Sequence, residues 1–139
     1  MSPPNTAHQH GAGIGGGTKA GQGCVVAGCH LAGNTGAGAP PFTMAGTLYK
    51  PDGSTPSAGA EIRLASDAGG TPLVAKTDDA GNFYTGGTVA FPAHTLASGC
   101  PTQDAHMSGS IANAGNGNCN GGTACHQVPG GLPMTLADQ

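Results

Sequence analysis

The chain has 139 residues with a net charge of −3, and Gly and Pro alone contribute 27 and 11 of them. Leu, Ile, Val and Phe together number only 18, too few for a large enzyme or a helix bundle. The four Lys and Arg cannot neutralise a phosphate track, no apolar run reaches the length of a membrane span, and so small a core implies cohesion from staples, metals, cofactors or neighbouring subunits.

Residues 1–23 are polar and Gly-rich with no hydrophobic period, and read as a flexible arm that carries His8 and His10. The G-x-G-x-x-G pattern from Gly11 to Gly16 has no strand before it and no amphipathic helix after it, so it is not read as a nucleotide loop. Residues 24–41 hold a first Cys–His cluster, Cys24-Val-Val-Ala-Gly-Cys29-His30, and a Gly/Ala/Pro linker. From Phe42 the pattern becomes alternating. Strands are predicted over residues 42–49, 60–65, 73–77 and from 82, with a fifth over 88–92. The turns fall at Lys50–Gly53, Asp67–Gly70 and Asp78–Gly81. The fold class that follows is mainly β: a small sandwich over residues 42–98, flanked by irregular segments with little helix. Residues 99–139 carry Cys100 and a second cluster, Cys119-Asn-Gly-Gly-Thr-Ala-Cys125-His126.

Five Cys cannot be closed by internal disulfides alone. Two of them are followed directly by His, where about 0.2 such dipeptides are expected by chance. The order is that of the covalent haem signature C-x-x-C-H. Two thiols add to the vinyl groups on one edge of the porphyrin, and the next His swings under the ring to the iron. The linkers here are four and five residues rather than two, and the small residues in them suit a loop pressed against a flat ring. The expected cofactors are therefore two haem c groups, bound at Cys24, Cys29 and His30 and at Cys119, Cys125 and His126. A zinc site built from Cys24, Cys29, Cys119 and Cys125 competes, but tetrahedral coordination does not call for His directly after Cys twice. A Cys100–Cys119 disulfide also competes and would leave the second haem on a single thioether at Cys125.

Residues Ala45–Gly53, Ala58–Leu64 and Lys76–Phe83 resemble the carboxypeptidase-regulatory-like, transthyretin-like domains, in which a D-G turn, a G-A-x-V-x-L strand and a T-D-x-x-G-x-F hairpin recur. That resemblance implies a seven-stranded sandwich serving as a spacer or binding module without catalytic residues. Asp78, Asp79 and Asn82 are then turn chemistry rather than a calcium site. The whole chain is similar to small secreted dihaem c-type cytochromes of bacteria, including the nanowire-type carriers of extracellular electron transport. In these a haem motif precedes such a sandwich, and an M-S-G segment leads into a closing C-N-x-x-G-C-H. Here the segment is His106-Met-Ser-Gly109 and the closing motif runs from Cys119 to His126; the five-residue linker and the extra Cys100 are departures.

Once His30 and His126 serve as proximal ligands, His8, His10, His94 and His106 remain for the second axial positions. This surplus favours bis-His iron and hence electron transfer rather than catalysis. His106 is expected at the second haem. His94, or His8 or His10 from the arm, is expected at the first. Met44 and Met107 are alternatives, although Met44 alternates with Phe42 and Leu48 and reads as core. The function expected is electron transport by a secreted, non-enzymatic dihaem cytochrome, exported through the periplasm because haem c is attached outside the cytoplasm. A dihaem peroxidase and a zinc-stabilised surface module are the competing classes. The two motifs flank the sandwich in sequence, the charge is low, and the arm is long enough to cross a subunit boundary. A homopolymeric filament is expected, with an arm His ligating the neighbour's haem, edge-strand pairing between copies and Cys100 as a possible covalent link. Other redox proteins or extracellular acceptors are the expected partners, and a monomeric periplasmic shuttle is the alternative.

Overall fold

The structure is a computed structural model that describes residue 17, residues 19–99 and 109–119, and the backbone of 104–106. Among the described residues eight strands form in chain order: β1 (His30–Leu31), β2 (Asn34–Thr35), β3 (Met44–Thr47), β4 (Glu61–Ser66), β5 (Leu73–Lys76), β6 (Asn82–Thr85), β7 (Ala93–Ser98) and β8 (Asp104–His106). All pairings between these strands are antiparallel: β1 with β2, β3 with β6, and a four-stranded sheet in the order β5-β4-β7-β8. Among the described residues the helical element is one 3-10 turn, Ala114–Gly117. The protein is mainly β, as its short alternating runs and Gly/Asp turns require.

Alternation sorts the side chains. On β4, Ile62 and Leu64 point inward, while Arg63 is exposed and paired with Glu61 two residues away on the same face. On β6, Phe83 points inward opposite Gly46, and Tyr84 points outward. Met44, Leu48, Ile62, Leu64, Ala75, Phe83 and Ala93 form the core between the two sheets. Met44 is fully buried there, in keeping with its alternation.

Strand β3 is buried along its whole length. Its inward residues meet the core, and outward Ala45 packs with Val25 and Phe42, with Cys24 and Leu31 at the margin. The first Cys–His segment is thus a third layer, laid over the outer face of the β3–β6 pair. Thr47 anchors it: its hydroxyl donates to Asn82 Oδ1 at 2.6 Å and accepts the Gly21 amide at 2.8 Å.

The Asp78 hairpin is turn chemistry. One Asp78 carboxylate oxygen accepts the amides of Ala80 and Asn82, both at 2.9 Å, while Asp79 is exposed. Gly81 closes the turn at φ +76, where a Cβ would lie 2.5 Å from the Leu48 carbonyl oxygen, so no other residue fits without strain.

The fifth strand lies later than the sequence predicts. Residues 88–92 are irregular, and the ladder begins at Ala93. Pro92 has no amide to give to a ladder; it contributes its carbonyl instead, to the Asp67 amide. The sheet then continues past residue 98 into β8, where the backbone of His106 pairs with Leu96.

Phe83 is the largest side chain in the core that is fully buried. Phe83→Ala is expected to lower unfolding free energy by about 3–5 kcal/mol, measured by chemical denaturation.

Candidate functional site

The first Cys–His segment is a closed loop. The His30 amide donates to the Cys24 carbonyl at 3.2 Å, and Val26 accepts both the Cys29 amide at 3.0 Å and the Leu31 amide at 3.3 Å. Gly28 turns the chain at φ +77 and donates to Asn34. The β1–β2 hairpin then returns the backbone, and the Cys29 carbonyl accepts the Gly36 amide. Both linker ends are therefore fixed by the backbone, and the linker's small side chains allow the fold.

Cys29 is exposed, Cys24 is partly buried, and neither is in a disulfide. Burial, with the Cys29 thiol nearby as a second cause, pushes the Cys24 thiol up to about 11. Cys24 is thus protonated throughout the physiological range.

His30 is buried. Its Nδ1–H donates to the Pro40 carbonyl at 2.7 Å, because a carbonyl only accepts. In the neutral ring this fixes the lone pair on Nε2, the tautomer that binds a metal through Nε2. The imidazole also stacks on Phe42, with ring centroids 3.8 Å apart and planes 8° from parallel. Phe42 in turn stacks on Tyr84 at 4.7 Å and 21°. Two thiols on one loop and a tautomer-fixed imidazole directly after the second of them suit covalent haem. The donor set of the first motif fits that group.

The two motifs flank the sandwich in sequence, yet Asn118, the residue before the second, reaches the first. Asn118 forms a parallel bridge with Ala45, and its side-chain oxygen accepts the Cys24 amide at 3.1 Å. The next residue, Cys119, donates its amide to the Ala45 carbonyl and packs with the sandwich core. Asn118 and Cys119 thus lie on opposite faces of β3, as alternation dictates. The Cys119 thiol is enclosed between the sheets, away from Cys24. This does not fit a thioether at Cys119 with the bridge closed, nor a zinc site shared by Cys24, Cys29 and Cys119. Among the described residues no group of three His, Cys, Asp or Glu is arranged to hold a metal ion.

His94 lies on β7 between two buried inward residues, Ala93 and Thr95, and points outward from the four-stranded sheet. The first motif covers the outer face of the other sheet, so the core separates His94 from His30. His94 Nδ1 binds Asp67 Oδ1 at 2.8 Å, and Ser110 donates to the other Asp67 oxygen at 2.8 Å. These hydrogen bonds, from His94 first and Ser110 next, hold Asp67 below the usual carboxylate range. His8, His10, Cys100, Met107, Cys125 and His126 lie outside the described residues, and His106 is described by backbone alone.

Pro40, Phe42, Asn118, Asp67 and Ser110 were not singled out as site residues from the sequence. The one available signal was the Pro40-Pro41-Phe42 run, a stiff return followed by one of only three Phe. Comparison with family models, characterised proteins and solved structures gave no match.

Titration offers a check on Cys24. A thiol buried as the neutral form stabilises the fold below the ordinary thiol range. That contribution is lost as pH rises through about 11. In the haem-free chain, Cys24→Ala is expected to flatten the fall in stability over this window, measured by denaturation at successive pH values. An unchanged pH profile would show that the thiol is not buried.

Proposed function

We propose that this chain is an electron-transfer protein, a dihaem c-type cytochrome whose first haem is held by thioether bonds at Cys24 and Cys29 and ligated by His30. The observation that carries this reading is the His30 imidazole, fixed through Nδ1 by the Pro40 carbonyl at 2.7 Å on the same closed loop as two thiols. When bound, haem supplies a reversible one-electron couple at its iron. The chain's own contribution is to orient the imidazole, hold the loop against the sheet and keep water from the buried ring. The core position of Cys119 favours attachment of the second haem through Cys125 alone, with His126 as its proximal ligand. His106 remains the distal ligand proposed for the second haem. With His94 on the far side of the sandwich, His8 and His10 of the arm are the distal ligands proposed for the first.

The setting proposed is outside the cell, with redox proteins or extracellular acceptors as partners. Self-association into a filament extends the same reading. It is supported by the low charge and by the edge position of β5, where Val74 is exposed. In that filament an arm His would ligate the neighbour's haem; His8→Ala combined with His10→Ala is expected to abolish filaments in electron micrographs and to alter the haem spectrum. Filaments and spectra unchanged in this double variant would remove the inter-subunit ligand.

Intact mass and visible absorption of the purified holoprotein test the haem assignment. A Soret band and a mass of chain plus two haems are expected, with Cys24→Ser combined with Cys29→Ser losing one haem. The mass of the bare chain, without a Soret band, would overturn the reading.

A further inference from the structure

Three contacts on His30 come from one short segment, Pro40 to Phe42. The Pro40 carbonyl takes the imidazole Nδ1–H at 2.7 Å. The Phe42 amide donates to the His30 carbonyl at 2.8 Å. The Phe42 ring lies flat on the imidazole, 3.8 Å away and 8° from parallel. The carbonyl fixes the tautomer and restrains the ring's rotation, because a turn about Cβ–Cγ carries Nδ1 off its acceptor. The torsion onto a planar ring is otherwise broad, and a flat neighbour in van der Waals contact narrows the tilt that one hydrogen bond still allows.

Phe42 can serve as such a neighbour because it is itself held on every side. Its backbone is tied to His30, and the following residue, Thr43, donates to the Thr85 carbonyl at 2.7 Å. Its ring packs with Val25 and Ala45. Its stacking contact with Tyr84 of β6, at 4.7 Å, ties it to the most regular part of the β3–β6 pair. The column of rings therefore runs from the buried imidazole to the half-exposed Tyr84.

We infer that Phe42, braced by Tyr84, is a positioning residue that sets the plane of the His30 imidazole and thereby the ligand field at the iron of the first haem. This rests on the reading that His30 is an axial ligand. It goes beyond that reading by naming the group that fixes the ligand's rotation. Protein control of a haem acts through ligand identity, outer hydrogen bonds and burial, and the stack adds control of ligand orientation. Phe42 touches neither iron nor substrate, and acts only through His30.

Electron paramagnetic resonance of the oxidised holoprotein tests the inference, since the low-field g feature of low-spin haem follows the orientation of the axial ligand plane. Phe42→Leu, which keeps apolar bulk but has no flat face, is expected to shift and broaden that feature for one haem at unchanged haem content. Phe42→Tyr, which keeps the face, is expected to restore it. Identical spectra for wild type and both variants, at full haem content, would overturn the inference while leaving haem attachment intact. Wild-type protein without haem on Cys24 and Cys29 would overturn the underlying reading as well, and is seen before any variant is made. If Phe42→Leu fails to fold, the unmodified protein decides the question by nuclear magnetic resonance. Phe42 ring protons are expected to show redox-dependent shifts and cross-peaks to the His30 ring, and their absence would overturn the inference.

Discussion

The structure depends on the burial of both faces of β3, the inner strand of the β3–β6 pair. Two short strands with one wet face are marginal in water. Here the inner face meets Ile62, Leu64 and the rest of the core, and the outer face meets Val25 and Phe42. Close approach on the outer side is possible because β3 presents Ala45 and Thr47 there, and because Thr47 satisfies the polar groups of both neighbours, Gly21 and Asn82. A chain with so few large apolar side chains gains area by using one strand twice. The first Cys–His loop therefore belongs to the fold rather than hanging from it.

That constraint also decides how residues 118 and 119 dock beside the first motif. The edge of β3 left open by β6 is taken by residues 118 and 119, bridging at Ala45. Alternation then sends Asn118 toward Cys24 and Cys119 into the core. Asn118, the residue before the second motif, thus meets Cys24 across 94 positions of sequence. The opposite sheet keeps its own polar cluster of His94, Asp67 and Ser110 on its outer face, separated from His30 by the thickness of the sandwich.

Much of the fold was legible because it rests on period-two patterns and turn chemistry. The runs at 42–49 and 60–65 alternate, those at 73–77 and from 82 are bounded by turn residues, and each yields a strand. Asp78 and Gly81 mark their hairpin by residue type alone. The strand expected at 88–92 failed on one residue, Pro92, whose missing amide moves the ladder to Ala93. The grouping of Cys24, Cys29 and His30 was legible from order and spacing, and the three lie on one closed loop. Its supports were not. Stacking of Phe42 on His30 and docking of Asn118 on Cys24 are tertiary contacts between segments that have no shared local pattern. The inward turn of Cys119 follows from its register on β3, which no motif encodes.

We propose that the loop from Cys24 to His30 holds haem while packed on the outer face of β3, and peptide mapping of the holoprotein, digested without reduction after alkylation of free thiols, tests this most directly. The expected result is a fragment spanning residues 24–31 that carries haem on both Cys24 and Cys29, with neither thiol alkylated. Recovery of that fragment without haem and with both cysteines alkylated would contradict it.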